Sequence, residues 1–220
     1  MEPAMIVCPV CKIAQCDRSA AKRDIYRISC MRCGDFSITG TEEHILSQDN
    51  TLSPRQRLIA SSIIYDFCGT SPLIDEYNLK DYFEKNDISI LEKADKLLLW
   101  LEQQSSSENG FQQYASIDFE DLSLQAECWA MNTEEIETIF NILKERELLA
   151  ENPTQTLGSH VSATITAKGW ERLEQLRTPN KDSVQGFVAM WFAPEMANIY
   201  ENVLAPAIQS AGYTPHRVDM

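Results

Sequence analysis

The sequence predicts a mixed, mainly α fold built from three unlike parts, and three observations carry that prediction. Two Cys-x-x-Cys pairs stand within the first 33 residues. Between residues 53 and 177, apolar residues recur at three- and four-residue steps, as on the buried stripe of a helix. After residue 186 the pattern changes to a continuously apolar run, Phe187-Val188-Ala189-Met190-Trp191-Phe192, which suits a strand buried on both faces of a parallel sheet.

At 220 residues the chain suits one or two domains, and 44% hydrophobic with 24% charged residues marks it as globular rather than disordered. No 18-residue apolar run is present, so no transmembrane helix and no membrane partner are expected. The N-terminus lacks the apolar stretch of a secretory signal, which predicts a cytoplasmic protein. Seven cysteines in that compartment point to metal or free thiols rather than disulfides. The formal net charge is −14, which argues against a broad nucleic-acid surface. Residues 1–40 hold six basic residues (Lys12, Arg18, Lys22, Arg23, Arg27, Arg32) against four acidic ones, leaving −16 on the rest. Nucleic-acid contact is therefore expected only in that first segment.

Cys8-Pro9-Val10-Cys11 and Cys30-Met31-Arg32-Cys33 are separated by 18 residues. Each Cys-x-x-Cys turn aims two thiolates at one tetrahedral ion, and two such turns complete its shell. The expectation is a zinc ribbon over residues 1–40 with a structural Zn2+ held by Cys8, Cys11, Cys30 and Cys33. Four thiolates leave no open coordination position, so catalysis at the ion is not expected. Gly34 stands where the second turn needs positive φ. Asp24-Ile25-Tyr26-Arg27-Ile28-Ser29 alternates as a strand does, and Phe36-Ser37-Ile38 continues it. So few apolar residues make a poor core, and the ion is expected to supply the missing stability. Cys16 could replace one of these ligands, but it lies outside both turns and reads as a spare thiol.

The middle part, residues 53–177, opens at Ser53-Pro54, a serine cap followed by proline in the first turn. Leu58, Ile59, Ile63 and Phe67 mark one face of that helix, and Gly69-Thr70-Ser71-Pro72 ends it. A second helix over 89–104 turns Leu91, Ala94, Leu97, Leu98 and Leu101 inward. A loop over 105–110 follows. Residues 115–176 then take the order of a winged helix: a short helix over 123–131, and a second over 133–147 capped by Asn132 with Glu135 three residues on. Two strands, 148–150 and 162–165, flank a wing tip at 151–160, so the wing spans about 148–165. Thr166 caps a last helix carrying Trp170, Leu173 and Leu176. The segment Ile165-Thr166-Ala167-Lys168-Gly169-Trp170-Glu171-Arg172-Leu173 resembles the wing-and-helix end of winged-helix modules. Such modules commonly read DNA with their second helix. Here that helix carries Glu134, Glu135, Glu137, Glu145 and Glu147 against Lys144 and Arg146, which favours a protein partner. His160 reads as a solvated residue of the wing tip, and His44 and His216 stand without a partner acid or nucleophile nearby in sequence. Cys68 and Cys128 read as core thiols.

Residues 178–185 read as a polar linker. Beyond the apolar run, Pro194 breaks the chain. Ile199, Tyr200, Val203, Leu204, Ala207 and Ile208 then mark a helix, Gly212 stands at its C-cap, and residues 213–218 read as a second strand. The blocks GFVAMWFAPEM and YENVLAPAIQSAGYTPHRVD resemble the N-terminal part of the nucleoside 2-deoxyribosyltransferase-like family. The Met-aromatic strand end, Pro206 inside the helix and the Ala211-Gly212-Tyr213 exit carry the likeness, which covers about 35 of the 220 residues. The resemblance implies a flavodoxin-like α/β sheet, present here only as its first β-α-β, that binds a nucleoside or nucleotide. It also implies attack at the anomeric carbon with loss of the base. The family's nucleophilic carboxylate lies beyond this segment, so no catalytic residue is assigned and the chain alone is expected to be inactive. The strand ends that line such a crevice carry Trp191, Phe192, Glu195 and Asp219 as candidate ligand-binding residues. Another α/β domain would open in the same way, and Met190, Trp191 and Phe192 equally fit a core. Phe192-Ala193-Pro194-Glu195 lacks the glycines of a dinucleotide-binding loop. Two strands and one helix cannot bury both faces of a sheet, so further chain, or self-association through residues 186–220, is expected to complete it.

Together these readings describe the regulatory, partner-docking front end of a nucleotide-processing effector that acts on an N-glycosidic bond. The alternative is a non-enzymatic zinc-ribbon and winged-helix adaptor or nucleic-acid-binding regulator. A strongly basic face built from Arg18, Lys22, Arg23 and Arg27 would favour that alternative.

Overall fold

The structure, a computed structural model, describes residues 4–107, 110–111, 115–151, 160–177, 185–188 and 194–217. It comprises two compact units, Met1–Leu173 and Glu174–Met220. Among the described residues helix exceeds strand, and no helix is long and apolar enough to cross a membrane.

The first unit begins with an antiparallel meander of β1 (Ala4–Val7), β2 (Gln15–Lys22), β3 (Ile25–Cys30) and β4 (Gly34–Thr39). Helix α1 (Gly40–Gln48) follows, then α2 (Pro54–Asp66) and one 3-10 turn at Cys68–Thr70. Strand β5 (Leu73–Ile74) returns parallel to β4, making a five-stranded sheet in the order β1-β2-β3-β4-β5, and α3 (Leu79–Phe83) comes next. The expected start of α2 is present. The Ser53 hydroxyl accepts from Gln56 N–H while the Gln56 side chain accepts from Ser53 N–H, a complete capping box around the first-turn proline.

Helix α2 is the wall between two cores. All eight residues from Arg57 to Ile64 are buried. Leu58, Ala60 and Ile64 join Val10, Ile28, Phe36, Ile38, Leu46, Ile74 and Phe83 in the core beneath the sheet. Ile59 and Ile63 face the other way and pack with Trp129. The one-faced stripe expected for this helix is therefore a two-faced one. Phe67, expected on that stripe, is 53% exposed, because the helix ends at Asp66 before another turn is complete.

The rest of the unit is α4 (Ile90–Ser105), a hairpin of β6 (Ser106–Ser107) and β7 (Gly110–Phe111), β8 (Ala115–Asp118), α5 (Leu122–Glu127), α6 (Thr133–Glu145), β9 (Leu149–Glu151), β10 (His160–Ile165) and α7 (Ala167–Arg177). Strands β8, β10 and β9 form an antiparallel sheet in that order. One core joins it to the helices: Ala94, Leu97, Leu98 and Leu101 from α4, Ile136, Ile139, Phe140 and Leu143 from α6, and Leu173 from α7. These are the residues the helical spacing selects. Leu91 and Leu176 are exceptions; Leu91 lies in the first turn of α4 and is 51% exposed, and Leu176, near the end of α7, is half-buried and outside this core. His160, expected in a solvated loop, opens β10 opposite Asp118 of β8, with its Nε2 3.4 Å from that carboxylate.

In the second unit, β11 (Gln185–Val188) pairs in parallel with β12 (Thr214–Arg217). Between them α8 (Pro194–Ile199) and α9 (Ala205–Ser210) are joined by a π-helical stretch, Tyr200–Leu204. Pro206 explains the stretch. Its nitrogen has no proton and its ring crowds the preceding turn, so the helix widens there, and Ala205 N–H bonds back to Tyr200 C=O. The helix ends as Gly212 predicts. At φ 88° Gly212 donates to Gln209 C=O while Tyr213 N–H reaches Ile208 C=O, both bonds of a Schellman cap.

Gly169 is the tightest glycine in α7. A Cβ there would stand 2.3 Å from Leu148 C=O and 2.7 Å from Ile165 Cγ2. The nearer atom is backbone and cannot swing aside. Gly169→Ala should therefore destabilise the first unit by about 1–3 kcal/mol, overriding the helix propensity of alanine. Denaturant unfolding followed by far-UV circular dichroism measures the change, and an unchanged midpoint would contradict this packing.

Candidate metal centre

The two Cys-x-x-Cys turns close on one point. Cys8 and Cys11 lie in the loop between β1 and β2, and Cys30 and Cys33 lie at the turn between β3 and β4. Backbone bonds shape the first turn: Cys8 N–H donates to Ala14 C=O at 2.9 Å, and Lys12 N–H to Cys8 C=O at 3.1 Å. The residue after each pair is left-handed, Lys12 at φ 61° and Gly34 at φ 72°. Glycine adopts that conformation freely. For Lys12 it costs roughly 1–2 kcal/mol, so the first turn is held against a local preference.

All four sulfur atoms are buried and lie within 4.8 Å of one another. Cys8 Sγ is 3.7 Å from Cys33 Sγ, and Cys11 Sγ is 3.9 Å from Cys30 Sγ. A disulfide would need about 2.0 Å. A tetrahedron of sulfurs about 2.3 Å from a central ion has edges of about 3.8 Å, which these two separations match, and all four sulfurs stay within 4.8 Å of one another. The donor set, its burial and its spacing thus fit a tetrahedral, thiolate-bound metal ion. A cavity of about 260 Å3 lined by Cys11, Ile13, Leu52 and Arg57 lies beside the cluster. Cys16 is buried beside the cluster, across from Cys30 on β2, but its sulfur is not one of the four.

Without a cation, four such sulfurs cannot all ionise. Hydrogen bonds from Cys30 and Cys33 pull the Cys11 thiol far down, so it takes the negative charge. Its thiolate then pushes Cys8 and Cys30 up as their hydrogen-bond acceptor, and burial pushes Cys33 up. A bound divalent ion reverses this by taking all four as thiolates, for a net −2 on the centre.

Two buried arginines flank that charge, and sequence reasoning missed both. Arg57 of α2 is 5% exposed. Its Nη1 donates to Pro9 C=O and Val10 C=O, the backbone of the first turn, at 3.0 and 3.1 Å. Its Nη2 donates to Leu46 C=O and Asp49 C=O at the end of α1. Arg32, counted in the sequence among the six basic residues of the first segment, is fully buried between Cys30 and Cys33. Its Nη1 donates to Gln125 Oε1 at 3.2 Å and its Nη2 to Ala130 C=O at 2.7 Å, while its Nε has no hydrogen-bond partner. Burial lowers both guanidinium pKa values, and the cysteine sulfurs oppose that shift. The hydroxyl of Ser61, also on α2, lies 3.1 Å from Cys33 Sγ. The one sequence signal for these contacts is an α2 apolar on both faces, which implies that one face lies against the ribbon.

Trp191, Phe192 and Asp219 lie outside the described residues, as does the side chain of Glu195. Cys128 is a fully buried core thiol, and the side chain of Cys68 lies outside the described set. His44 stands on α1, exposed, in a polar cleft with Arg18, Tyr26 and Glu43. His216 pairs across the parallel ladder with Phe187.

The purified protein should carry one divalent ion per chain, and Cys30→Ser should lose it; full retention in that variant would break the assignment. Acid should release the ion, because binding requires deprotonated thiols. The Arg57 cation holds thiol pKa values down, so Arg57→Met raises them and moves the release midpoint to higher pH, by roughly one unit. The thiolate-to-cobalt absorption of the cobalt(II)-substituted protein measures this. A midpoint that stays or falls would mean Arg57 is only packing.

No protein-family model, curated protein or solved structure matches the chain.

Proposed function

We propose that this chain is the regulatory, partner-docking front end of a nucleotide-processing protein of the nucleoside 2-deoxyribosyltransferase-like kind, and that its metal centre is a structural zinc site. The observation that carries the reading is the closed four-sulfur centre. All four positions are protein ligands, all are buried, and the neighbouring arginines tie it to α2 and to the turn after α5. An ion so enclosed has no room for substrate, which favours a structural role. Zinc is the metal that best suits four thiolates in a tetrahedron.

The winged-helix reading of the middle part draws support from the β8-β10-β9 sheet and from the α5-α6 pair that precedes β9. Its second helix is α6. The outward residues of α6 are Glu134, Glu137, Thr138, Asn141 and Glu145, with no lysine or arginine among them. Lys144 is spent on Glu151. Such a face repels a phosphate backbone and favours a protein partner. The alternative, a nucleic-acid-binding regulator, needs a strongly basic ribbon. Arg18 is already committed to Glu43 through two bonds, 2.6 and 2.9 Å long, and stacks on Tyr26. Lys22, Arg23 and Arg27 remain exposed.

The effector part of the reading rests on the resemblance of residues 186–220, supported by the parallel pairing of β11 with β12 around a helix that ends at Gly212. Helix residues Ile199 and Val203 remain 44% and 58% exposed there, an apolar face of the kind that further chain or a second copy would cover.

Two measurements test the proposal. Fluorescence anisotropy with a labelled duplex should register weak or no binding at physiological salt; a tight, salt-sensitive complex abolished by Arg23→Glu would favour the nucleic-acid reading. Incubation with deoxynucleosides, deoxynucleotides or NAD should release no free base from this chain alone. Base release that co-purifies with the chain would mean that the catalytic groups lie within these 220 residues.

A further inference from the structure

We propose that Arg32 is a strut through which occupation of the four-cysteine centre sets the order of the α5–α6 segment. The proposal rests on the reading of those cysteines as a metal centre. Arg32 lies between two ligands, Cys30 and Cys33, and its side chain is fully buried. Nothing it touches by hydrogen bond is a carboxylate: its partners are the Gln125 side-chain oxygen and Ala130 C=O. A guanidinium withdrawn from water needs negative charge nearby, and the sulfurs of Cys33, Cys11 and Cys30 are the first charges to act on it. A divalent ion with four thiolates supplies that charge and also locks the backbone from which Arg32 projects.

The far end of the strut is a turn that apolar packing also holds: Leu124, Cys128 and Ala130 are buried in the main core, and Trp129 packs on Ile59 and Ile63. Gln125 is buried on α5, and its Nε2 donates to Phe119 C=O. Ala130 N–H returns to Gln125 C=O at 2.8 Å, while Trp129 is held at φ 55°, a conformation unfavourable for a bulky residue. The Trp129 indole donates to Asp66 at the end of α2. Immediately after, Met131 N–H donates to Glu135 Oε2, and the other Glu135 oxygen accepts from buried Lys93. The segment from α5 to the first turn of α6 is thus a chain of polar contacts that, among the described residues, Arg32 links to the four-cysteine turn by hydrogen bonds, beside the apolar contacts of Leu122 and Met131. When the centre empties, the negative charge facing the guanidinium falls from −2 to that of one thiolate and the turn that carries Arg32 loosens, so its two hydrogen bonds to the α5–α6 turn weaken.

Hydrogen exchange of the full chain, zinc-loaded and chelated at one pH, tests this with peptides covering 122–136. Bonds from a charged donor correspond to roughly tenfold or more in local opening. Chelation of the wild type should raise exchange over 122–136 by about that factor, while 139–145 and 160–165 keep their protection. In zinc-loaded Arg32→Met, 122–136 should already exchange at the chelated wild-type rate, with one ion still bound, and chelation should add little. The β3–β4 peptides should respond to chelation in both proteins. If Arg32→Met does not fold, Gln125→Ala removes one acceptor of Arg32 and leaves every residue of the metal turn in place, and it should shrink the chelation response of 122–136. The strut is overturned if chelation leaves 122–136 unchanged, if it releases the whole unit at once, or if the response survives undiminished in the variants. Absence of a bound ion from the wild type would instead overturn the metal reading beneath it.

Discussion

A buried cluster of four sulfurs must be neutralised by whatever surrounds it, and that requirement organises the first unit. A divalent ion removes only half of the charge on four thiolates. The remainder is met by two guanidinium groups that arrive from different parts of the chain: Arg57 from α2 and Arg32 from within the second Cys-x-x-Cys turn. Each arginine in turn needs acceptors. Arg57 finds them in the first metal turn and at the end of α1, and Arg32 finds them beyond α5. The ribbon is accordingly bound to the helical part by polar contacts as well as by apolar ones. Its sheet gains a fifth strand from beyond α2, and Leu58, Ala60, Ile64, Ile74 and Phe83 supply the core its own residues lack.

This explains which features were legible in the sequence. The four-cysteine cluster was, because Cys-x-x-Cys spacing is a local geometry that needs no knowledge of the rest. The inward stripes of α4 and α6 were, because each has one apolar face and one polar face. The exit of α9 was, because Gly212 does there what other residues do at a cost. What escaped was decided by contacts distant in sequence. Strand β2 is mostly exposed and polar, so alternation does not announce it. Strand β5 is two residues long and exists only because β4 offers it an edge. Helix α1 carries just Ile45 and Leu46 as large apolar residues, and β8 is recognisable only beside β10. The burial of Arg32 escaped too, since no local pattern says that a charged residue will be buried. The candidate ligand residues Trp191, Phe192 and Asp219 lie outside the described residues, so that part of the site rests on the resemblance alone.

Glu135 illustrates how tertiary contacts redirect a local motif. The sequence Asn132 to Glu135 reads as a capping box, and half of it forms: Asn132 Oδ1 accepts from Glu135 N–H at 2.9 Å. The reciprocal half shifts by one residue. Glu135 Oε2 accepts from Met131 N–H, and its other oxygen turns to Lys93 of α4, 2.7 Å away. Lys93 is only 2% exposed and also bonds Asp87, which in turn pairs with Arg55. Removing either acid would leave a buried ammonium undercompensated, so the network acts more to fix one arrangement of α2, α4 and α6 than to add net stability. It also takes Glu135 off the outer surface of α6, leaving Glu134, Glu137 and Glu145 to define the charge of that face.

The same accounting extends over the whole chain. The sequence has 19 lysines and arginines against 33 aspartates and glutamates. Many of the described cations are committed inside the fold. Arg32 and Arg57 serve the metal turns, and Arg18, Lys93, Lys96, Lys144, Lys168 and Arg172 each stand against a carboxylate. Each such pairing cancels one acid but removes a cation that phosphate could use, so the uncompensated surface is more uniformly acidic than composition alone conveys. A field of that sign slows approach to nucleic acid and hastens approach to a basic protein face, with both effects weakened by salt. That asymmetry is the physical ground for preferring a protein partner, because it depends on where the cations are spent and not on any single residue of α6.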